Sequence, residues 1–125
     1  MATSIFAHEP GGREYQAGDV IFSAGEPASA MLAVQAGEID LFVAGSLVET
    51  VGVDGFFGEM GMLESAPRTA TAVARTGCRV VEIDQAAFTR QVSRNPFFAL
   101  EVMRTLAHRL READRAIEAH AARRA

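Results

Sequence analysis

The feature that most constrains the fold is a single change in hydrophobic period, which falls near Asp84. Before Asp84, short apolar runs are separated by glycine turns, as at Met31 to Gln35, Ile39 to Val43 and Leu47 to Val51. After it, apolar residues recur at helical spacing. Short strands bounded by glycine are typical of the hairpins of a β-sandwich or barrel. The sequence therefore predicts a mainly β fold that is followed by helices.

Two further strands are predicted at Thr69 to Arg75 and at Arg79 to Ile83. The Thr76-Gly77 pair between them is typical of a turn, so we expect these two strands to pair with each other. A chain of 125 residues is long enough for one hydrophobic core and too short for two. A single domain over residues 1–125 is expected, with strands over about 13–83 and helices over about 84–122.

The helical part begins with a predicted N-cap at Asp84 and a first helix that ends near Ser93. Asn95-Pro96 then starts a second helix, with proline at its favoured first position, and this helix reaches about Ala121. Its apolar residues step by three and four, as in the seam of a coiled coil. These seam positions are Leu100, Met103, Ala107, Leu110, Ile117 and Ala121, with Asp114 as the one acidic interruption. We expect the second half of the helix to pair with an identical helix.

The stretch FFGEMGMLESAPRTATAVA, segment 56–74, places a glycine and a carboxylate at the start of a short predicted helix. Gly58 lets the backbone approach a ligand closely, because it has no Cβ. The N–H groups of Glu59, Met60 and Gly61 would face an anion at the beginning of that helix. These residue types together predict an anion site.

Arg68 follows Gly58 in the same segment and supplies a planar fork of donors that suits two phosphate oxygens. Glu59 is unfavourable beside a phosphate, but its carboxylate can accept hydrogen bonds from sugar hydroxyls. A small ligand with both a phosphate and a ribose hydroxyl accounts for the two residues. The alternatives are a solvated surface charge for Arg68 and a helix-start residue that complements the helix dipole for Glu59.

At these residues the chain resembles the cyclic nucleotide-binding domain family. The runs F-G-E-M-G-M-L and P-R-T-A in segment 56–74 are similar to the family's phosphate-binding cassette. The stretch from Tyr15 to Phe42 is similar to the first half of the family's barrel. The resemblance extends from about Arg13 to Asp114. The family's turns would lie at Gly18-Asp19, Gly25-Glu26 and Gly37.

The resemblance implies an α+β fold, an eight-stranded jelly-roll-like β-barrel with flanking helices. It implies cyclic AMP as the first choice of ligand and cyclic GMP as the second, with no further cofactor. Ligand contacts are expected at Gly58, Glu59, Met60, Gly61, Arg68, Thr69 and Asp114.

The resemblance gives several of these residues a separate role. Arg68 would hold the phosphate, and Glu59 would accept from the ribose hydroxyl. Thr69 would contact the phosphate or a guanine, with a plain strand residue as the alternative. Asp114 would accept hydrogen bonds from the purine, because residues at this depth of the long helix reach the base in similar proteins. A solvated aspartate is the alternative for Asp114.

Composition excludes several other classes of protein. The formal net charge of −4 argues against a dedicated nucleic-acid binder. All 12 basic residues are arginine, so a Walker-type phosphate loop with its lysine is ruled out. The single cysteine, Cys78, cannot form an internal disulfide and is expected to be a buried structural residue. With no signal peptide or membrane-spanning stretch in the sequence, a cytoplasmic location is expected.

The sequence bears on three classes of function. A regulatory ligand-binding module is favoured, since both Arg68 and Glu59 are present. A degenerate domain of the same fold, which serves only in protein interaction or dimerisation, is the alternative. A jelly-roll enzyme such as a cupin would need a metal cluster on its strands, but the three histidines lie outside them. No catalytic residue and no metal site are therefore predicted.

The output of such a module would depend on a partner that the sequence does not identify. Transcription regulators with this domain continue into a helix-turn-helix, whereas this chain ends at Ala125. We expect either a stand-alone sensor or a piece of a larger protein. In both cases we expect a homodimer through the long helix and an effector protein as the target, without direct binding to nucleic acid.

Overall fold

The computed structural model describes residues 6–124 of the chain. Within that range it contains eight strands and three helices. The strands are β1 (Arg13–Tyr15), β2 (Val20–Phe22), β3 (Met31–Ala36), β4 (Ile39–Val43), β5 (Ser46–Val51), β6 (Phe56–Phe57), β7 (Thr71–Ala74) and β8 (Cys78–Ile83). The helices are α1 (Glu59–Glu64), α2 (Gln85–Arg94) and α3 (Phe97–Arg124).

The strands form two antiparallel sheets of four strands each, in the orders β1-β8-β3-β6 and β2-β7-β4-β5. Consecutive strands lie in different sheets, except for the hairpin of β4 and β5. The predicted mainly β fold with flanking helices is confirmed. In the part of the chain that is described, however, the strands form two open sheets instead of one closed barrel.

The expected pairing between the two strands that flank Thr76-Gly77 is wrong. Strand β7 pairs with β2 and β4, whereas β8 pairs with β1 and β3. The Thr76 hydroxyl accepts a hydrogen bond from the Glu38 backbone N–H at 3.1 Å, and the Arg75 N–H donates to the Glu38 carbonyl at 3.0 Å. These bonds connect the turn to the loop between β3 and β4. The turn therefore does not form a hairpin, and the chain crosses from one sheet to the other.

The hydrophobic core lies between the inner faces of the two sheets. Successive side chains of a strand point to opposite faces, so alternate residues of each strand enter this core. Val34 and Val80 come from one sheet, and Ile39 and Ala72 come from the other. Strand β6 contributes Phe57, which has 1% of its surface exposed. The burial of Phe57 therefore fixes the backbone of segment 56–74 just before Gly58.

Cys78 is buried in this core, as predicted for a structural residue. Burial raises the pKa of its thiol, and the negative charge of Asp19 acts in the same direction. Because the thiolate is the reactive form, a raised pKa makes this cysteine less reactive.

The chain divides into two compact units, Met1–Thr89 and Arg90–Ala125. The first contains all eight strands and α1, and its last residues begin α2 at the predicted N-cap. There the Asp84 carboxylate accepts a hydrogen bond from the Ala87 N–H at 2.9 Å. Residues 1–5 and 125, which belong to the expected domain of 1–125, lie outside the described residues.

The second unit contains the long helix α3, which has 28 residues. The Asn95 side-chain oxygen accepts from the Phe97 N–H at 3.2 Å, so the predicted cap is present. Several seam positions are exposed, including Leu110 at 65% and Ile117 at 66%. The chain therefore carries a helical row of apolar side chains in contact with solvent.

Candidate functional site

Segment 56–74 begins as a strand and turns into a helix at one residue, Gly58. Strand β6 ends at Phe57, and α1 starts at Glu59. Gly58 takes the left-handed conformation, with φ 74° and ψ 22°. A side chain would strain this conformation, which explains the glycine. The turn presents the Gly58 carbonyl group to the side chain of Arg68.

Gly61 lies one turn into α1, at a close approach to the loop between β2 and β3. A Cβ atom at this position would lie 2.5 Å from the Cβ of Ala28 and 3.0 Å from Nη1 of Arg68. Only glycine leaves room for both neighbours without a rearrangement. Gly61 is therefore required chiefly by its approach to Ala28, and it also lies close to the Arg68 guanidinium.

The Arg68 side chain is half-buried and has two defined contacts. Its Nη1 donates a hydrogen bond to the Gly58 carbonyl oxygen at 3.1 Å. Its guanidinium carbon lies 4.3 Å from the centroid of the Phe22 ring, at cation–π distance. Phe22 in turn packs against Phe57, with 5.7 Å between the ring centroids. A core aromatic pair thus forms the platform on which the guanidinium lies.

The backbone of Arg68 is held by the turn at Gly25-Glu26. The Gly25 N–H donates to the Arg68 carbonyl at 2.7 Å, and the Arg68 N–H donates to the Glu26 carbonyl at 2.9 Å. The Glu26 carboxylate closes the same turn by accepting from the Ser23 N–H at 3.0 Å. The arginine is therefore fixed through its backbone as well as through its side chain.

The charge of Arg68 is maintained in spite of its burial. Burial lowers the pKa of the guanidinium, and the negative charges of Glu82 and Glu26 oppose this shift. Arginine remains protonated at physiological pH even when it is buried. Arg68 is thus a fixed, half-buried cation, which is the kind of group that binds a phosphate or carboxylate strongly.

The structure brings three of the predicted site residues together, namely Gly58, Gly61 and Arg68. Glu59 is half-buried in the first turn of α1, beside this group. Met60 follows it with an exposed side chain.

The remaining two predicted site residues are Thr69, which follows Arg68 in the sequence, and Asp114. Thr69 is exposed and precedes β7, which begins at Thr71, so its predicted place inside a strand is wrong. The chain reaches β7 only after the Arg68 backbone has paired with the Gly25-Glu26 turn. Asp114 is an exposed residue of α3 in the second unit, and its contact with a ligand stays a prediction.

Two residues at this site were not predicted, Phe22 and Glu26. The sequence marks Gly25-Glu26 as a turn and Phe22 as a strand residue, but nothing local indicates that either contacts Arg68. Their contacts join segments that are far apart in the chain, so only the fold reveals them.

In residues 6–124, no group of three or more histidine, cysteine, aspartate or glutamate side chains is arranged to hold a metal ion. Across the same residues, no helix combines the length and the apolar character needed to cross a bilayer.

Comparison with known proteins identifies the family. Residues 12–95 match the family model described as the cyclic nucleotide-binding domain. The cAMP-dependent protein kinase regulatory subunit of Debaryomyces hansenii is 33% identical over 82 residues, which cover 64% of this chain and 18% of that protein. The chain therefore spans less than a fifth of the length of this curated relative.

Two solved structures are similar over most of the chain. The crystal structure of Thermus thermophilus catabolite activator protein has a TM-score of 0.75 and 27% identity, covering 93% of this chain and 62% of that one. A structure described by the words "A cyclic-GMP-dependent signalling pathway regulates bacterial phytopathogenesis" has a TM-score of 0.70 and 31% identity, covering 85% of this chain and 88% of that one. Since the matched residues include both sheets and segment 56–74, this chain belongs to the cyclic nucleotide-binding domain family.

Proposed function

We propose that this chain is a regulatory module that binds a cyclic nucleotide at segment 56–74 and acts through a partner protein. The observation that carries the proposal is the Arg68 guanidinium, a half-buried cation held between the Gly58 carbonyl and the Phe22 ring. A cyclic phosphate bears one negative charge and two free oxygens, which match the planar donors of arginine.

The neighbouring residues fit the rest of such a ligand. Gly58 and Gly61 let the backbone of the helix start lie close to the Arg68 guanidinium, which would hold the phosphate. Glu59, half-buried in the same turn, accepts from the ribose 2′-hydroxyl. Met60 forms part of the pocket wall, and Thr69 contacts the phosphate or a guanine.

Cyclic AMP is the first ligand that we propose, and cyclic GMP is the second. The relative from Debaryomyces hansenii is named as the regulatory subunit of a cAMP-dependent protein kinase, which supports the first choice. The structure from a cyclic-GMP-dependent pathway supports the second choice. No cofactor beyond the nucleotide is part of the proposal.

The whole chain acts as one cyclic nucleotide-binding domain in this proposal, in the cytoplasm and without catalysis. Bound nucleotide changes the relative stability of two conformations, and an effector protein responds to the difference. The exposed seam of α3 joins two copies of the chain. That same seam favours the second candidate, a domain that serves only in dimerisation or interaction.

We expect Arg68→Ala to abolish nucleotide binding while the fold is retained. Loss of the charge-assisted partner in a half-buried site costs ~2–5 kcal/mol, or about thirty-fold to several-thousand-fold in affinity. Calorimetric titration with cAMP and cGMP measures this loss. Arg75→Ala is the control, because Arg75 is exposed and pairs with Asp40 of β4, outside segment 56–74. A mutant that titrates like the wild type would show that segment 56–74 is not the binding site.

We expect a 2′-deoxy cyclic nucleotide to bind more weakly than the ribonucleotide, since Glu59 would lose its hydroxyl partner. A hydrogen bond to a charged group contributes ~1.5–3 kcal/mol, so the difference should be at least about tenfold. Glu59→Gln should reduce this difference, whereas Glu64→Gln, at the exposed end of the same helix, should leave it unchanged. Equal affinities for the two sugars in the wild type would remove this role of Glu59.

We expect the protein to be a dimer that Leu110→Glu converts to monomers, because a charge in an apolar seam is costly to bury. Light scattering over a range of concentrations, with and without nucleotide, measures the mass. Ala116→Glu adds the same charge on the other side of α3 and should leave the dimer intact. A wild type that is monomeric throughout would contradict the seam.

We expect Asp114→Ala to weaken cGMP more than cAMP. Guanine offers adjacent N1 and N2 donors to a carboxylate, whereas adenine offers only N6. The extra loss for cGMP should be ~1–3 kcal/mol if the contact is buried. Titration of both ligands tests this, with Glu118→Ala as the control on the same helix. An equal loss for the two nucleotides, or none, leaves Asp114 a surface residue.

A further inference from the structure

The side chain of Glu82 lies on the inner face of the sheet β1-β8-β3-β6, the face that contributes to the core. In β8, the buried residues Cys78 and Val80 belong to the core between the sheets. Glu82 follows Val80 by two positions and therefore points to the same face. Its register partner in β3 is Leu32, another core residue. Glu82 is thus an acidic side chain at the margin of an otherwise apolar inner face.

The row of residues that contains Glu82 leads directly to Arg68. Leu32 pairs with Glu82 on one side and with Phe57 on the other. Phe57 precedes Gly58, whose carbonyl accepts from Arg68. Two strand spacings separate Glu82 from Phe57 along this row, or about 10 Å. The row therefore places Glu82 on the same inner face as Phe57, whose neighbour Gly58 contacts Arg68.

The electrostatics of Arg68 agree with this placement. Glu82 and Glu26 both oppose the effect of burial on the Arg68 pKa, and Glu82 has the larger effect. Glu26 also has a structural task, since its carboxylate accepts from the Ser23 N–H and closes the turn that holds Arg68. Glu82 is not part of that turn, so its charge can be removed while the turn that holds the Arg68 backbone stays in place.

A cleft of about 260 Å³ opens beside Glu82. Leu32 and Val80 contribute to its lining, together with Arg13 and Tyr15 of β1. The Glu82 side chain is exposed in this cleft. The site around Arg68 is therefore faced by a negative charge that remains in contact with solvent.

We propose that the negative charge of Glu82 weakens the binding of the anionic ligand at Arg68 and so lowers the affinity of the site. This inference rests on the proposed function, because it concerns the affinity of the same site. In the absence of ligand, the Glu82 charge stabilises the half-buried cation. When a phosphate binds, it enters the field of Glu82 with a charge of the same sign. The carboxylate thus favours the unbound state relative to the bound one.

The effect of Glu82 should be the same for the two candidate nucleotides. It acts on the cyclic phosphate, which cAMP and cGMP share, and not on the base. It should also decrease with ionic strength, since the Debye length falls from about 10 Å at 0.1 M to about 3 Å at 1 M. A residue that contacts the base would show neither property.

The test compares Glu82→Gln with the wild type by calorimetric titration of cAMP and cGMP at low and high salt. At low salt we expect binding to tighten by about four- to fifteen-fold for both nucleotides. A unit charge about 10 Å from the ligand would have this effect at an effective dielectric constant of about 20 to 40. Glu82→Lys should tighten binding further, and 1 M salt should remove most of either gain.

Glu14→Gln is the matched control. Glu14 lies on β1 of the same sheet, is exposed, and pairs with Arg79 on the outer face. Its removal changes the net charge of the protein by the same amount, so it reports any effect of net charge alone. We expect the nucleotide affinity of Glu14→Gln to stay within about twofold of the wild type, because the Glu14 charge is exposed to solvent and paired with Arg79.

The outcomes separate this inference from the proposed function. Unchanged or weaker binding by Glu82→Gln, with a wild type that binds, would overturn the role of Glu82 and leave the proposed function in place. Unequal changes for cAMP and cGMP would also overturn it, because they would show contact with the base. A wild type that binds neither nucleotide would contradict both proposals. Thermal unfolding of each variant without ligand confirms that the affinities refer to folded protein.

Discussion

The contact between the Arg68 guanidinium and the Phe22 ring is the interaction on which the arrangement of the site depends. A half-buried cation loses hydration, and a buried charge is stable only when other groups replace that hydration. The Phe22 ring and the Gly58 carbonyl do so here. The guanidinium occupies the space next to Gly58, and Gly61 lies close to both the guanidinium and Ala28. The helix start and Arg68 are therefore closely packed against each other.

The topology of the two sheets explains how residues so distant in sequence meet. Because nearly every strand crosses to the other sheet, β2 and β6 come from different sheets and face each other across the core. Their aromatic residues, Phe22 and Phe57, meet there. The Gly25-Glu26 turn leaves β2 at the level where Arg68 approaches β7, so backbone pairing continues beyond the strand ends. The core and the site are thus built from the same contacts.

Local patterns predicted much of this fold, and the failures have a common cause. Strand β4 is present at Ile39–Val43 as predicted, since alternation between glycine turns is a strong local signal. The pairing around Thr76-Gly77 was wrong because a hairpin turn and a crossing between sheets use the same residue types. The bonds that decide between them come from Glu38, far away in the chain. Phe22 was missed for the same reason, whereas Arg68 was found because its neighbours in sequence carry the motif.

The contacts of Arg68 also bear on how a site of this kind could respond to a ligand. Its Nη1 donates one of the five guanidinium N–H groups to the Gly58 carbonyl. The remaining N–H groups can donate to a phosphate while that bond stays in place. A ligand shifts two conformations only by its difference in affinity for them. Under the proposed function, the site would respond most if the Gly58 bond and the bound phosphate belonged to different conformations of segment 56–74.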